Sequence, residues 1–177
     1  MADITGKRVA VLVDDYFEQA ELTGPVRTLR EAGALVDIIA PDDGEVHGMN
    51  HAVVADTFQT DRSIDDVKTD EYDALVLPGG AINADTLRMN IKARIWVKKF
   101  MDDNKPLAVI CHAPWVLISA GVADGRKLTS YWTIQDDLRN AGAIWSDQEV
   151  VIDGNLITSR QPDDVPAFTQ ALIAQLE

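Results

Sequence analysis

Four short apolar runs mark the first two thirds of the chain, at residues 9–13, 36–40, 74–77 and 107–110. Runs of this length, rich in Val, Ile and Leu, predict strands buried on both faces, as in a parallel sheet. Between the first two, Thr23 near a helix start, Pro25 in its first turn, apolar Val26, Leu29 and Ala32, and Gly33 as a stop predict a helix. The result is a strand–helix–strand unit. A second helix is predicted over about residues 91–101, with Ile91, Ile95 and Trp96 set against Lys98, Lys99 and Asp102.

Residues 45–55 read differently: Val46 and His47, a break at Gly48 and then Val53-Val54-Ala55 predict a small hairpin rather than a domain boundary. Near the end, apolar runs flank Asp153-Gly154-Asn155, a tight-hairpin signal, and a last helix is predicted over about residues 164–176. No internal repeat or Gly/Ser/Pro-rich linker divides the sequence. The pattern therefore predicts one α/β domain over residues 1–177, a doubly wound, mostly parallel sheet with helices on both faces.

Composition narrows the class of function. With 177 residues, 46% apolar and 25% charged, the chain suits a single compact core. No stretch approaches the roughly 20 apolar residues of a membrane span, and residues 1–8 lack the build of a secretory signal, so a cytoplasmic protein without a membrane partner is expected. A net charge of −13, from 29 acidic against 16 basic residues, repels a phosphate backbone and argues against nucleic acid as a partner. The single cysteine forms no internal disulfide, which leaves packing, reactivity or pairing between chains.

Ligands of such sheets bind outside the carboxyl ends of the strands. Three strand ends carry candidate chemistry: Asp14-Asp15-Tyr16-Phe17-Glu18, Pro78-Gly79-Gly80, and Cys111-His112-Ala113-Pro114. A lone cysteine is ordinarily core packing, but Cys111 follows a buried strand at an abrupt turn into a helix. There its sulfur is exposed at the sheet top, neighbouring N–H groups face the reacting atom, and a helix start favours thiolate. Gly79 and Gly80 can bring backbone donors close to an oxyanion. A carboxyl such as Glu18 beside the sulfur assists a thiolate only when it is protonated, which demands a raised pKa and one proton shared by the pair. His112 reaches the sulfur only if the turn is irregular. His47 and His51 are four apart, but Gly48 and Asn50 between them indicate a loop, and no metal or cofactor is predicted.

Phe17-Glu18 with Glu21-Leu22 and Pro25, the run 72–80, Ile110-Cys111-His112-Ala113-Pro114 and Thr158-Ser159-Arg160-Gln161-Pro162 together resemble the PfpI family of intracellular cysteine hydrolases. That family lies in the superfamily of the parkinsonism-associated protein deglycase, and the resemblance runs over nearly the whole chain. It implies a flavodoxin-like fold, Cys111 as nucleophile, Glu18 as the acid at its sulfur and His112 as the neighbour used in peptidase members. It also implies a homo-oligomer, dimer or hexamer, in which an acid from a second subunit orients the histidine; the matching position is Asp85, shorter than the usual glutamate. The segment Thr129-Ser130-Tyr131-Trp132 resembles the family too, which puts Tyr131 and Trp132 at the pocket.

Family members are described as stress proteins, as peptidases, and as enzymes acting on methylglyoxal or glyoxal adducts or the free aldehydes. The resemblance therefore implies small aldehyde-derived or glycated substrates, with peptides as the alternative. A redox sensor or holdase using the same thiol is the non-enzymatic rival. A glutamine amidotransferase needs a later histidine, and none follows His112; a phosphorylation receiver needs an aspartate where this chain has Pro78-Gly79.

Overall fold

The computed structural model describes residues 3–177; Met1 and Ala2, part of the start read above, lie outside the described residues. Its elements run β1 (Arg8–Leu12), β2 (Phe17–Glu18), α1 (Gln19–Glu31), β3 (Leu35–Ala40), β4 (Glu45–Asn50), β5 (Val53–Gln59), β6 (Arg62–Ser63) and β7 (Ala74–Leu77). Then follow α2 (Ala81–Leu87), α3 (Ile91–Asp102), β8 (Leu107–Ile110), α4 (Pro114–Ser119), β9 (Lys127–Leu128), α5 (Gln135–Asn140), β10 (Ile144–Trp145), β11 (Val150–Asp153), β12 (Leu156–Ser159) and α6 (Val165–Leu176).

Seven strands form the main sheet in the order β11-β12-β8-β7-β1-β3-β6, and only the β11–β12 pair is antiparallel. Side-chain alternation along β1 explains the layering. Val9 and Val11 enter one core with Leu22, Val26, Leu29, Phe168 and Leu172 of α1 and α6. Ala10 and Leu12 enter the other, with Trp96, Val97 and Phe100 of α3 and Leu117 of α4. This is the doubly wound, flavodoxin-like sheet that the apolar runs and the resemblance predict. No helix among the described residues is long and apolar enough to cross a membrane.

Several local expectations shift. Helix α1 begins at Gln19 with no side-chain cap, so Thr23 and Pro25 lie inside it rather than at its start. Lacking an N–H, Pro25 leaves the Glu21 carbonyl without its helical partner, a cost accepted within a well-buried helix. In α3 the buried face is Ala93, Trp96, Val97 and Phe100, at the 3–4 spacing of a helix stripe, whereas Ile91 and Ile95 point outward. The hairpin at residues 45–55 exists as β4–β5 and pairs through β4 with β2 in a separate three-stranded sheet. Its turn falls at His51-Ala52, and Gly48 marks a register shift instead. A Cβ at Gly48 would sit 2.8 Å from the Gln19 side chain, so the hairpin closes directly onto the start of α1.

Candidate active site

The carboxyl ends of β1, β7 and β8 open onto one cleft of about 640 Å³. Tyr16 and Glu18 line it from the first strand end, Gly80 to Ile82 from the second, and Cys111 and His112 from the third. The convergence of three loops expected from the sheet topology is realised. Two further walls were not legible in the sequence: Met49, His51 and Ala52 from the hairpin, and Gln161, Pro162 and Asp163 from the loop after β12.

Cys111 sits at the elbow with φ of 64°, a left-handed backbone that costs a β-carbon-bearing residue of order 1–3 kcal/mol. Two hydrogen bonds hold it there. Its N–H donates to Ser159 O at 3.1 Å, and its carbonyl accepts from Tyr131 N–H at 2.8 Å. The strain turns the side chain out of the strand row and toward the cleft. Because α4 starts only at Pro114 and is six residues long, the donors at the sulfur are not a helix end but the backbone N–H groups of Gly80 and His112.

The carboxyl beside the sulfur is Glu21, not Glu18. Phe17 is buried in the core, so alternation turns Glu18 to the opposite side and into the cleft, where both its oxygens accept from His51 N–H at 3.2 and 3.3 Å. One turn later Glu21 lies on the apolar face of α1 with Leu22, Pro25, Val26 and Leu29, and is fully buried. Its Oε2 accepts the Gly79 N–H at 2.8 Å, Oε1 is buried without a hydrogen-bond partner among the described residues, and the carboxyl lies beside the Cys111 thiol. Burial pushes Glu21 up to about 8, the Gly79 N–H opposing and the Glu18 charge adding. The raised carboxyl that the chemistry demanded therefore exists, three residues away from its expected position.

Burial, and then the charge of Glu21, push the Cys111 thiol up, while the N–H groups of Gly80 and His112 pull it down. A proton on Glu21 removes the charge that opposes ionisation of the thiol.

His112 does face the sulfur. Its Nδ1 lies 3.2 Å from Sγ, and its Nε2 lies 3.3 Å from Thr133 Oγ1. Tyr131 stacks on the ring at 4.9 Å and Trp115 meets it edge-on at 5.4 Å, fixing its plane. Burial lowers the His112 pKa, so the neutral ring that can accept a proton is favoured. Tyr131 lines the cleft, but Trp132 is 61% exposed and does not; Thr133 occupies the useful place beside it. Asp85 lies on the exposed side of α2 and is not part of the lining. His47 and His51 serve different carboxylates: His47 Nδ1 lies 3.0 Å from Asp15, and His51 Nδ1 lies 3.8 Å from Glu18.

Gly79 and Gly80 are required by contact as well as conformation. A Cβ at Gly79 would lie 2.5 Å from Cys111 Cβ and 2.5 Å from Glu21 Oε2; one at Gly80, where φ is 89°, would strike the backbone of residues 16–18. The Gly79 N–H is engaged by Glu21, which leaves Gly80 as the member of the pair facing the sulfur. Buried Asn83 holds this turn. It donates to Pro78 O and Gly79 O at 3.1 and 3.0 Å and accepts from Asp14 N–H at 2.7 Å, tying two strand-end loops together. An asparagine in a short polar stretch carries no sequence signal of that role.

The family model described as DJ-1/PfpI matches residues 7–175. Deglycase TK1284 of Thermococcus kodakarensis is 44% identical over 169 residues, covering 96% of this chain and 99% of its own. General stress protein 18 of Bacillus subtilis is 42% identical over 173 residues, covering 97% and 99%. Among solved structures, Drosophila melanogaster DJ-1beta superposes with a TM-score of 0.88 at 30% identity, over 96% of this chain and 90% of that one.

Proposed function

Because this chain belongs to the DJ-1/PfpI family, we propose that it is a stress-response cysteine hydrolase releasing hydroxy acids from methylglyoxal- or glyoxal-derived adducts of amines and thiols, or from the free aldehydes. The observation that carries this reading is a single sulfur 3.2 Å from His112 Nδ1, at a strained elbow beside the buried Glu21 carboxyl and the backbone N–H groups of Gly80 and His112. Similarity to proteins named a deglycase and a general stress protein supports the same class.

The chemistry follows from those contacts. Cys111 thiolate attacks the former aldehyde carbon of an adduct, the carbon–nitrogen or carbon–sulfur bond breaks, and the carrier amine or thiol leaves with a proton. A hemithioacetal on Cys111 remains. His112 removes the proton from that carbon and returns one to the adjacent carbonyl carbon, so the first carbon is oxidised and the second reduced by the same electron pair. The product is a lactoyl thioester for methylglyoxal. Water then attacks it, with the Gly80 and His112 N–H groups disposed toward the developing oxyanion, and lactate leaves as the thiol is regenerated. The net change is adduct plus water giving carrier plus lactate.

A small adduct places little demand on a cleft of about 640 Å³, whereas peptide cleavage requires an open groove. The test is lactate release from methylglyoxal hemithioacetals and from freshly treated Nα-acetyl-lysine, comparing wild type with Cys111→Ser. Turnover in wild type alone supports the proposal. Peptide cleavage without lactate release would replace it.

A further inference from the structure

We propose that the cleft selects its substrates by charge, taking adducts whose carrier bears a fixed positive charge, such as a quaternary ammonium group, in preference to anionic carriers. This deepens the proposed function by naming a substrate class, and it rests on that reading for turnover but not for binding.

Glu18, only 8% exposed, is turned into the cleft by the buried Phe17 before it, and its carboxylate is met by one backbone N–H at 3.2–3.3 Å rather than by a cation in close contact. The His51 ring, which also lines the cleft, lies 3.8 Å away and is 81% exposed. Asp163, exposed in the loop after β12, is a second acidic residue of the lining. That loop is anchored by Arg160, whose guanidinium is already engaged by Asp164 at 2.9 Å and Asp147 at 2.9 Å and so does not neutralise Asp163.

Among the described residues that line the cleft there is no lysine and no arginine. Tyr16 and Tyr131 add aromatic rings of the kind on which a guanidinium or quaternary ammonium can rest. Two acidic residues lining one cleft give it a negative field, and the net charge of −13 adds in the same sense. A phosphate or carboxylate carrier would enter against that field with no cation to receive it.

A unit charge about 6 Å from a carboxylate, at an effective dielectric between those of protein and water, changes an encounter about tenfold, with opposite signs for cation and anion. The test uses the chain's one cysteine. Wild type, Glu18→Gln, Asp163→Asn and the double variant are treated with methanethiosulfonates bearing a trimethylammonioethyl, hydroxyethyl or sulfonatoethyl tail. The thiolate forms a disulfide to the tail and methanesulfinate leaves, so only tail charge differs. After division by the rates with a free small thiol, the cation should outpace the anion by about tenfold to a hundredfold at physiological salt, and the ratio should fall at least tenfold in the double variant.

A ratio near one in wild type overturns the inference. So does a high ratio left unchanged by the double variant, which would assign it to the overall charge of the protein. A parallel measurement of lactate release from the methylglyoxal hemithioacetals of thiocholine and 3-mercaptopropionate separates the two levels. Turnover of both at equal kcat/KM overturns charge selection while sparing the hydrolase, whereas no turnover with a tail-charge preference intact overturns the hydrolase and leaves a cation-selecting cleft.

Discussion

Replacing Glu21 by Gln should change the pH dependence of stability in a defined direction. A carboxyl that ionises near 4.5 in the unfolded chain and near 8 in the fold is released as a proton first by the unfolded state. Native stability is therefore fully retained below the unfolded value, falls as pH rises between the two, and levels off above the folded one. At about 1.4 kcal/mol per pH unit, the carboxyl costs the fold on the order of a few kcal/mol over the whole window. Glutamine is the uncharged isostere. Its oxygen can accept the Gly79 N–H as Glu21 Oε2 does at 2.8 Å, and its NH₂ can face the sulfur as the protonated acid would. The two proteins should then be of similar stability near pH 5, with the variant gaining on wild type at each step to pH 8. Urea denaturation at half-unit intervals reads the difference. Curves that stay parallel across the window would refute the assignment of a raised pKa to this residue.

Other substitutions probe the same geometry. Gly79→Ala places a methyl 2.5 Å from both Cys111 Cβ and Glu21 Oε2, and should cost about 3 kcal/mol in a urea melt while suppressing thiol labelling. Asn83→Ala removes three hydrogen bonds that tie the strand-end loops and should cost about 2–3 kcal/mol, with turnover reduced even where the protein remains folded. Thr133→Val removes the hydroxyl 3.3 Å from His112 Nε2; kcat should fall with KM little changed, and Thr133→Ser should restore it. Because burial lowers the His112 pKa from its ordinary 6.5, the ring followed by NMR should lose its proton below that pH. A value at or above 6.5 would contradict the neutral, proton-accepting ring.

Much of the architecture was legible because apolar runs and strand ends are written locally. The run at residues 74–77 is β7 itself, and the Asp153-Gly154-Asn155 signal lies at the β11–β12 turn. Position after a buried strand singled out Cys111, and the irregular turn needed for His112 to reach the sulfur is present. The acid was misassigned because Glu18 and Glu21 stand three residues apart and both face the same loops. The signal that separates them was present: Glu21 falls in the stripe of Leu22, Pro25, Val26 and Leu29, and a carboxyl on the apolar face of a helix is buried for a reason. That stripe was hidden because α1 starts without a side-chain cap, so Thr23 and Pro25 suggested a later beginning. Ile91 and Ile95 failed in the opposite way, since a half-apolar helix offers two plausible stripes and only the packing of Trp96, Val97 and Phe100 chooses. The walls from His51 and Asp163 depend on long-range closure, which no local pattern encodes.

The central claim is that Cys111 carries the acyl group. Acid-quenching the protein during turnover of a methylglyoxal hemithioacetal, followed by mass spectrometry of the peptide containing Cys111, tests it most directly. A lactoyl thioester on Cys111 should appear, disappear as substrate is exhausted and be absent from Cys111→Ser; steady lactate production with Cys111 never acylated would contradict that role.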